Sequence, residues 1–262
     1  MKTRVISAAV LIAVASFCIF FSPITRVVFF ALCGCLCAYE VSKNYEKLDA
    51  DCTLWVMNLY LIGQAALTLL EAGAFWYAAW FMFSIYAALF SGIISKKVSG
   101  KGALYTLSAL AYPCVLFGVM MVIVVSELWL ETLCIACLST WTCDSFALFG
   151  GKRFGKHKVA PLVSPNKTVE GCVCGALSSL VVGVIIGLVS PIPMWISVLT
   201  AFIASTLGQF GDLAESLLKR MIGVKDFGDL IPGHGGMFDR ADSLIFSIPA
   251  AYFCLLIFGY GV

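Results

Sequence analysis

Charge is what this sequence has least of. Of 262 residues, 17 are lysine or arginine, 15 are aspartate or glutamate and two are histidine. An ordinary soluble domain is about 25% charged, against 12% here. Too few polar side chains remain to cover a water-soluble globule of this size. The shortage of polar residues equally excludes a disordered chain, which needs low hydrophobicity. A formal net charge of only +2 excludes a bulk polyanion binder, because a nucleic-acid domain carries a basic excess. The scarcity of histidine decides how the 12 cysteines are read. Cys33, Cys35 and Cys37, then Cys134 and Cys137, then Cys172 and Cys174 all lie in apolar runs with no histidine nearby. A zinc site needs a converging set of ligands, so these cysteines read as small buried hydrophobes.

Apolar residues fill the gap, at 61% with a mean hydropathy of +0.99. A membrane span takes about 20 such residues. The fold class is therefore all-α, a polytopic transmembrane bundle of about nine spans. The runs fall at about 5–21, 24–41, 53–70, 74–94, 103–125, 128–149, 171–189, 194–218 and 243–260. Ser22-Pro23 stops the first run, and Pro191 and Pro193 stop the seventh. The first run is expected to be retained, although Ala13-Val14-Ala15 resembles a cleavage site; its apolar stretch continues to Phe21. With the N-terminus in the cytosol, every basic residue except Arg26 falls on the cytosolic side. Glu71, Glu127 and Glu131 fall on the other. The positive-inside rule thus orients the chain N-in and C-out.

Gly171, Gly175, Ser179, Gly183 and Gly187 recur at steps of four. They form a face that another helix can approach closely, in this chain or in a second subunit.

The ionisable residues gather in two stretches, 144–170 and 212–242, which also hold His157 and His234. The chain divides into a hydrophobic scaffold, 1–130, and a C-terminal catalytic domain, 131–262. Asp144, Asp212, Glu215, Asp239 and Asp242 lie in or beside spans, where an unpaired carboxylate costs several kcal/mol. Asp212, Glu215, Ser216 and Lys219 share one helical face. Crowded carboxylates need cations, and hard oxygen ligands with substrate phosphates are how Mg²⁺ is usually held. Neighbouring lysines and arginines suit phosphate oxygens. The plainer reading is a set of salt bridges, such as Asp212 with Arg240. Glu40 and Glu71 read as ordinary interfacial caps. Gly228 to Gly236 is a glycine-rich loop whose amides suit phosphates. Gly150 to His157 imitates a P-loop but fails as one, since His157 replaces the Ser/Thr and a membrane helix precedes it.

The stretch Ser216-Leu-Leu-Lys219-Arg220-Met-Ile-Gly-Val-Lys225-Asp226-Phe-Gly228-Asp-Leu-Ile-Pro232-Gly-His234-Gly235-Gly236-Met-Phe-Asp239-Arg240-Ala241-Asp242 resembles the signature of the phosphatidate cytidylyltransferase (CDP-diacylglycerol synthase) family. Asp144 to His157, Ser164-Pro165-Asn166-Lys167-Thr168-Val-Glu170-Gly171, and Gly211-Asp212-Leu-Ala-Glu215-Ser216 resemble further segments of it. The likeness covers roughly 140–242. Leu148 stands where a tyrosine is usual, Asn166 where a lysine is usual, and Ala241 where a larger side chain is usual. The resemblance implies the reaction CTP + phosphatidate → CDP-diacylglycerol + diphosphate, with Mg²⁺, in a polytopic inner-membrane homodimer with its site facing the cytosol. It implies Asp212 and Asp239 at the metal. With it, we expect Asp144 and Asp242 as further metal groups and room for a second cation. Lys219 and Lys225 are expected to act on phosphates in catalysis. Arg220, Arg240, Lys167, Ser164, His234, Gly235, Gly236 and Asp226 are expected to bind substrate. Two rivals differ in what they release or move. A CTP-dependent lipid-alcohol kinase would need a general base and would release CDP. A cation-coupled transporter would place charges near the midplane and show internal repeats.

Overall fold

A computed structural model describes residues 2–49, 52–94, 100–230 and 235–260, with side chains from residue 9 onward and excluding that of Ile94. His234, expected to bind substrate, and Lys96 and Lys97, used for orientation, lie outside the described residues. The chain is helical almost throughout: α1 Lys2–Phe21, α2 Pro23–Tyr45, α3 Leu54–Leu69, α4 Ala74–Ile94, α5 Gly100–Ala109, α6 Leu116–Ile123 and α7 Trp129–Phe154. After a short hairpin, β1 Lys158–Ala160 and β2 Ser164–Thr168, come α8 Val169–Val189, α9 Met194–Ile222, α10 Phe238–Ala241 and α11 Leu244–Ile257. Seven segments among the described residues are long and apolar enough to cross a membrane, with α3 and the described part of α1 shorter. This is a multi-pass membrane protein. All twelve cysteines are free thiols.

Two compact units divide the chain. The first holds residues 1–125 and 222–240, the second 126–221 and 241–262.

In the first unit, the break between α1 and α2 is written locally. Ser22 accepts from the Thr25 amide, the Thr25 hydroxyl accepts from the Ser22 amide, and Pro23 starts the helix. α2 is the central helix, packed by α1, α3 and α6. Its Val27, Cys37, Ala38 and Val41 are fully buried beside Met57, Leu61 and Met121. The fifth apolar run, expected as one helix over 103–125, is instead interrupted. Between α5 and α6 the chain passes through a wider turn, Leu110–Val115, with Tyr112 non-helical at φ −145°, ψ 108°. Pro113 has no N–H to donate, and its ring crowds the preceding turn.

In the second unit, α7 and α8 share the most extensive packing. The small-residue face of α8 explains it. A Cβ on Gly175 would lie 2.6 Å from the Cys143 carbonyl oxygen, and one on Gly171 2.7 Å from that of Ala147. Further along, a Cβ on Gly183 would lie 2.4 Å from Val198 Cα, and one on Gly187 2.6 Å from Met194 Cα. The partners of the stripe are therefore α7 and α9 of the same chain. Ser205 donates to Ser179 Oγ (2.9 Å) across the α8–α9 contact, and α11 packs on α7.

Candidate functional site

The second unit brings most of the expected residues together. α7 runs past the expected end at 149 to Phe154, so Gly150, Gly151, Lys152 and Arg153 are helical. This agrees with the rejection of a P-loop there. Gly155 then ends the helix, and the antiparallel hairpin returns the chain with Lys158 opposite Thr168 and Ala160 opposite Ser164. Thr168 caps α8 by accepting from the Gly171 amide (3.2 Å). Glu170, in the first turn of α8, accepts from the Lys156 amide (3.0 Å) and pairs with His157 Nδ1 (2.6 Å). It thereby ties the end of α7 to the start of α8.

These elements enclose a cavity of about 710 Å³ lined by Asp144, Leu148, Lys152 and Lys158, with Asn166, Lys167, Gln209 and Asp212 completing its polar wall. That volume lies within the range of small-molecule sites, about 300–1,000 Å³. Lys167 Nζ is 2.5 Å from Asp212 Oδ2, with both side chains about a quarter to a third exposed. Leu148 and Asn166, two of the three departures from the signature, both face the cavity. Gln209, overlooked in the sequence, also lines it; its amide donates to Cys143 Sγ (3.0 Å) and the Cys172 carbonyl (3.2 Å). A lone glutamine in an apolar run gave no sign of this role.

Beside the cavity wall, Asp212, Glu215 and Asp242 each offer a carboxylate oxygen, all within 4.8 Å of one another. Asp212 and Glu215 are brought onto one face of α9 by their three-residue spacing. A Cβ on Gly211 would lie 2.6 Å from the Asp242 carbonyl oxygen, so the glycine lets the backbone before α11 close on α9. Glu215 is fully buried and ion-paired with Lys219 one turn on. The sequence reading gives Glu215 no ligand role, yet it sits inside the cluster. Asp144 and Asp242 both interact electrostatically with Asp212. Four carboxylates, all hard oxygen donors, lie among Lys167 and Lys219, with Lys152 and Lys158 on the same cavity wall. That donor set suits a divalent cation such as Mg²⁺. Arg220 is exposed and donates through Nε to the Val163 carbonyl (3.1 Å), bracing the hairpin. Ser164 begins β2.

The other expected residues belong to the first unit. Lys225, Asp226 and Arg240 are exposed. Asp239 is buried, and its Oδ2 accepts from the amides of Phe227 and Gly236, both 2.9 Å. Glu40 is not the ordinary interfacial cap expected. It is 4% exposed and accepts from the amides of Met237 and Phe238, both 2.9 Å. The three consecutive amides of 236–238 therefore point at the protein's own carboxylates. A Cβ on Gly228 or Gly236 would lie 2.6–2.7 Å from a Glu40 carboxylate oxygen. Gly235 adopts φ +85°, a conformation glycine takes without strain.

The model of the cytidylyltransferase family matches residues 2–258. Phosphatidate cytidylyltransferase of Bacillus subtilis (strain 168) is 49% identical over 125 residues, 47% of this chain and 46% of that protein. Its counterparts in Staphylococcus saprophyticus and Staphylococcus aureus (strain COL) are each 40% identical over 160 residues, 60% of this chain and 61% of theirs. The chain thus spans between about half and three fifths of these relatives' length. With the family model matched almost from end to end, this chain belongs to the cytidylyltransferase family.

Proposed function

We propose that this protein transfers the cytidylyl group of CTP to phosphatidate, giving CDP-diacylglycerol and diphosphate. The observation that carries the reading is the cavity of the second unit, where Asp144 and Asp212 meet Lys152, Lys158 and Lys167. A site for two anionic substrates needs that mixture. The lysines receive phosphate oxygens, and the carboxylates receive the cation that accompanies a nucleoside triphosphate. The names of the bacterial relatives supply the substrates.

In the proposed reaction, a phosphate oxygen of phosphatidate bonds to the α-phosphorus of CTP. The bond from that phosphorus to the bridging oxygen breaks, and its electron pair leaves with diphosphate. The attacking group is already anionic, so no side chain has to remove a proton. Alignment and charge neutralisation are the chain's tasks. Lys152, Lys158 and Lys167 hold the nucleotide's phosphates, with Lys219, Lys225, Arg220 and Arg240 as further phosphate partners. Ser164, His234, Gly235, Gly236 and Asp226 complete substrate binding. Asp212, Asp242 and Asp144 hold Mg²⁺, with Glu215 beside them, and the role implied for Asp239 belongs to the same proposal. When bound, the cation would neutralise phosphate charge. The remaining parts of the proposal are nine spans oriented N-in and C-out, the division at 130/131, the inner membrane with a cytosol-facing site, and a homodimer.

The test is purified protein in detergent with radiolabelled CTP, phosphatidate and Mg²⁺. A lipid-soluble cytidine product and released diphosphate are expected, both lost on adding EDTA. Release of CDP would indicate a lipid kinase instead. Solute movement in vesicles without CTP consumption would indicate a transporter.

A further inference from the structure

Glu40 and Asn44 stand one turn apart on α2, both almost completely buried. Their hydrogen bonds reach nearly 200 residues along the chain, within the same unit. Glu40 takes the amides of Met237 and Phe238 at 2.9 Å each. Asn44 donates to the Phe227 carbonyl at 2.5 Å and to the Glu40 carbonyl at 2.8 Å. Asp239 closes the arrangement from inside the segment by accepting from Phe227 and Gly236. Phe238 is fully buried, packed on Phe227 and Tyr112 at ring-centroid distances of 4.8 and 5.1 Å.

A carboxylate with 4% exposure in an apolar helix is costly unless its oxygens are satisfied. Here they are satisfied by backbone donors, so the charge is matched to one placement of residues 236–238. The fit is close: a Cβ on Gly228 or Gly236 would lie 2.6–2.7 Å from a Glu40 oxygen, so a methyl group there would displace the carboxylate from its amides.

We infer that Glu40 is a positioning residue: from α2 it sets the backbone of residues 236–238, which leads into Asp239 and Arg240, with Asn44 fixing Phe227. The inference rests on the cytidylyl-transfer reading for its kinetic consequence but not for its contacts. It gives the N-terminal helices a part in the reaction beyond scaffolding.

Glu40→Gln keeps the shape but turns an amide NH₂ toward one of two backbone donors. Its kcat for CDP-lipid formation is expected to fall about 10²-fold, the scale of a roughly 1 Å misplacement. KM for CTP should rise as well, since Gly235, Gly236 and Arg240 of the same segment are assigned to substrate binding. Elution in detergent should match the parent, with only a modest fall in unfolding temperature as one backbone donor loses its acceptor. Amide exchange of the peptide 235–239 should quicken. A folded Glu40→Gln protein with parental kcat, or a loss that only follows the folded fraction, overturns the inference. If that variant does not accumulate, Asn44→Ala is measured in the same way. It leaves the Glu40 carboxylate in place, and parental kcat with parental exchange overturns the inference. If the parent itself makes no CDP-lipid, the proposed function fails. The exchange measurement then decides alone: quicker exchange supports positioning, and unchanged exchange overturns it.

Discussion

Lys167 and Asp212 are joined at 2.5 Å across the wall of the second unit's cavity, one from the hairpin before α8 and the other from α9. Each neutralises the other in the absence of substrate. An entering phosphate would compete for the lysine, and an entering cation for the carboxylate, so the pair is suited to being opened by the complex of both. Asp212→Asn keeps the shape and removes the charge. It is expected to lower CDP-lipid formation by about 10²–10³-fold, the usual loss for one charge-stabilising group, while membrane insertion is unchanged. Turnover close to the parent would remove Asp212 from the metal role.

Glu215 and Lys219 form the more deeply buried pair, with side-chain exposures of 0% and 16%. Removing one partner of such a pair costs about 3–5 kcal/mol where the other charge is left alone, and less here because Asp242 also interacts with Lys219. Glu215→Gln should therefore lower the unfolding temperature in detergent. Glu215→Gln combined with Lys219→Met should recover much of that loss, since a buried ion pair replaced by neutral groups is often close to neutral in stability. Activity should return in neither. A double variant as unstable as the single one would show that the pair is not the source of the loss.

How much of this was legible in advance follows from the range of each signal. The spans could be read because an apolar run and its Pro or Gly stop are local, as at Ser22-Pro23. The α8 stripe was legible for the same reason, and only its partner was open. The hairpin at 158–168 left no trace, because three to five residues of polar strand give no periodicity. Gly150-Gly151 read as a helix end, yet the turn continues because those glycines are packed against Cys174 and Thr168, which no local rule weighs. Tyr112-Pro113 was read through because the run around it is uniformly apolar. The role of Glu40 is not local to its helix: its partners lie 197 and 198 residues away. The acidic cluster was found by shared helical face, but Glu215 gained its place only from Asp242, which another helix brings in.

Lys152 and Lys158 line the cavity, and both are exposed. If they serve the nucleotide's phosphates, they contribute equally before and during the reaction. Lys152→Ala and Lys158→Ala should then each raise KM for CTP, by about tenfold for one charge-assisted hydrogen bond of about 1.5 kcal/mol, with kcat nearly kept. The rise should shrink in high salt, because exposed charges are screened. A fall in kcat with KM unchanged would place these lysines at the reacting phosphorus instead.

Gly183 shows how the α8 stripe can be tested without touching any residue of the proposed site. Its hypothetical Cβ lies 2.4 Å from Val198 Cα and 2.8 Å from the Ser197 carbonyl oxygen, so the obstacle is backbone of α9 and cannot rotate away. Gly183→Ala must push the two helices apart, and overpacking of this kind costs about 1–3 kcal/mol. It should lower the unfolding temperature in detergent and loosen the Ser179–Ser205 contact one turn away. Gly73→Ala is the control, since nothing lies within 4 Å of that position. If Gly183→Ala were as stable as Gly73→Ala, close approach of α8 to α9 would not be what the stripe provides.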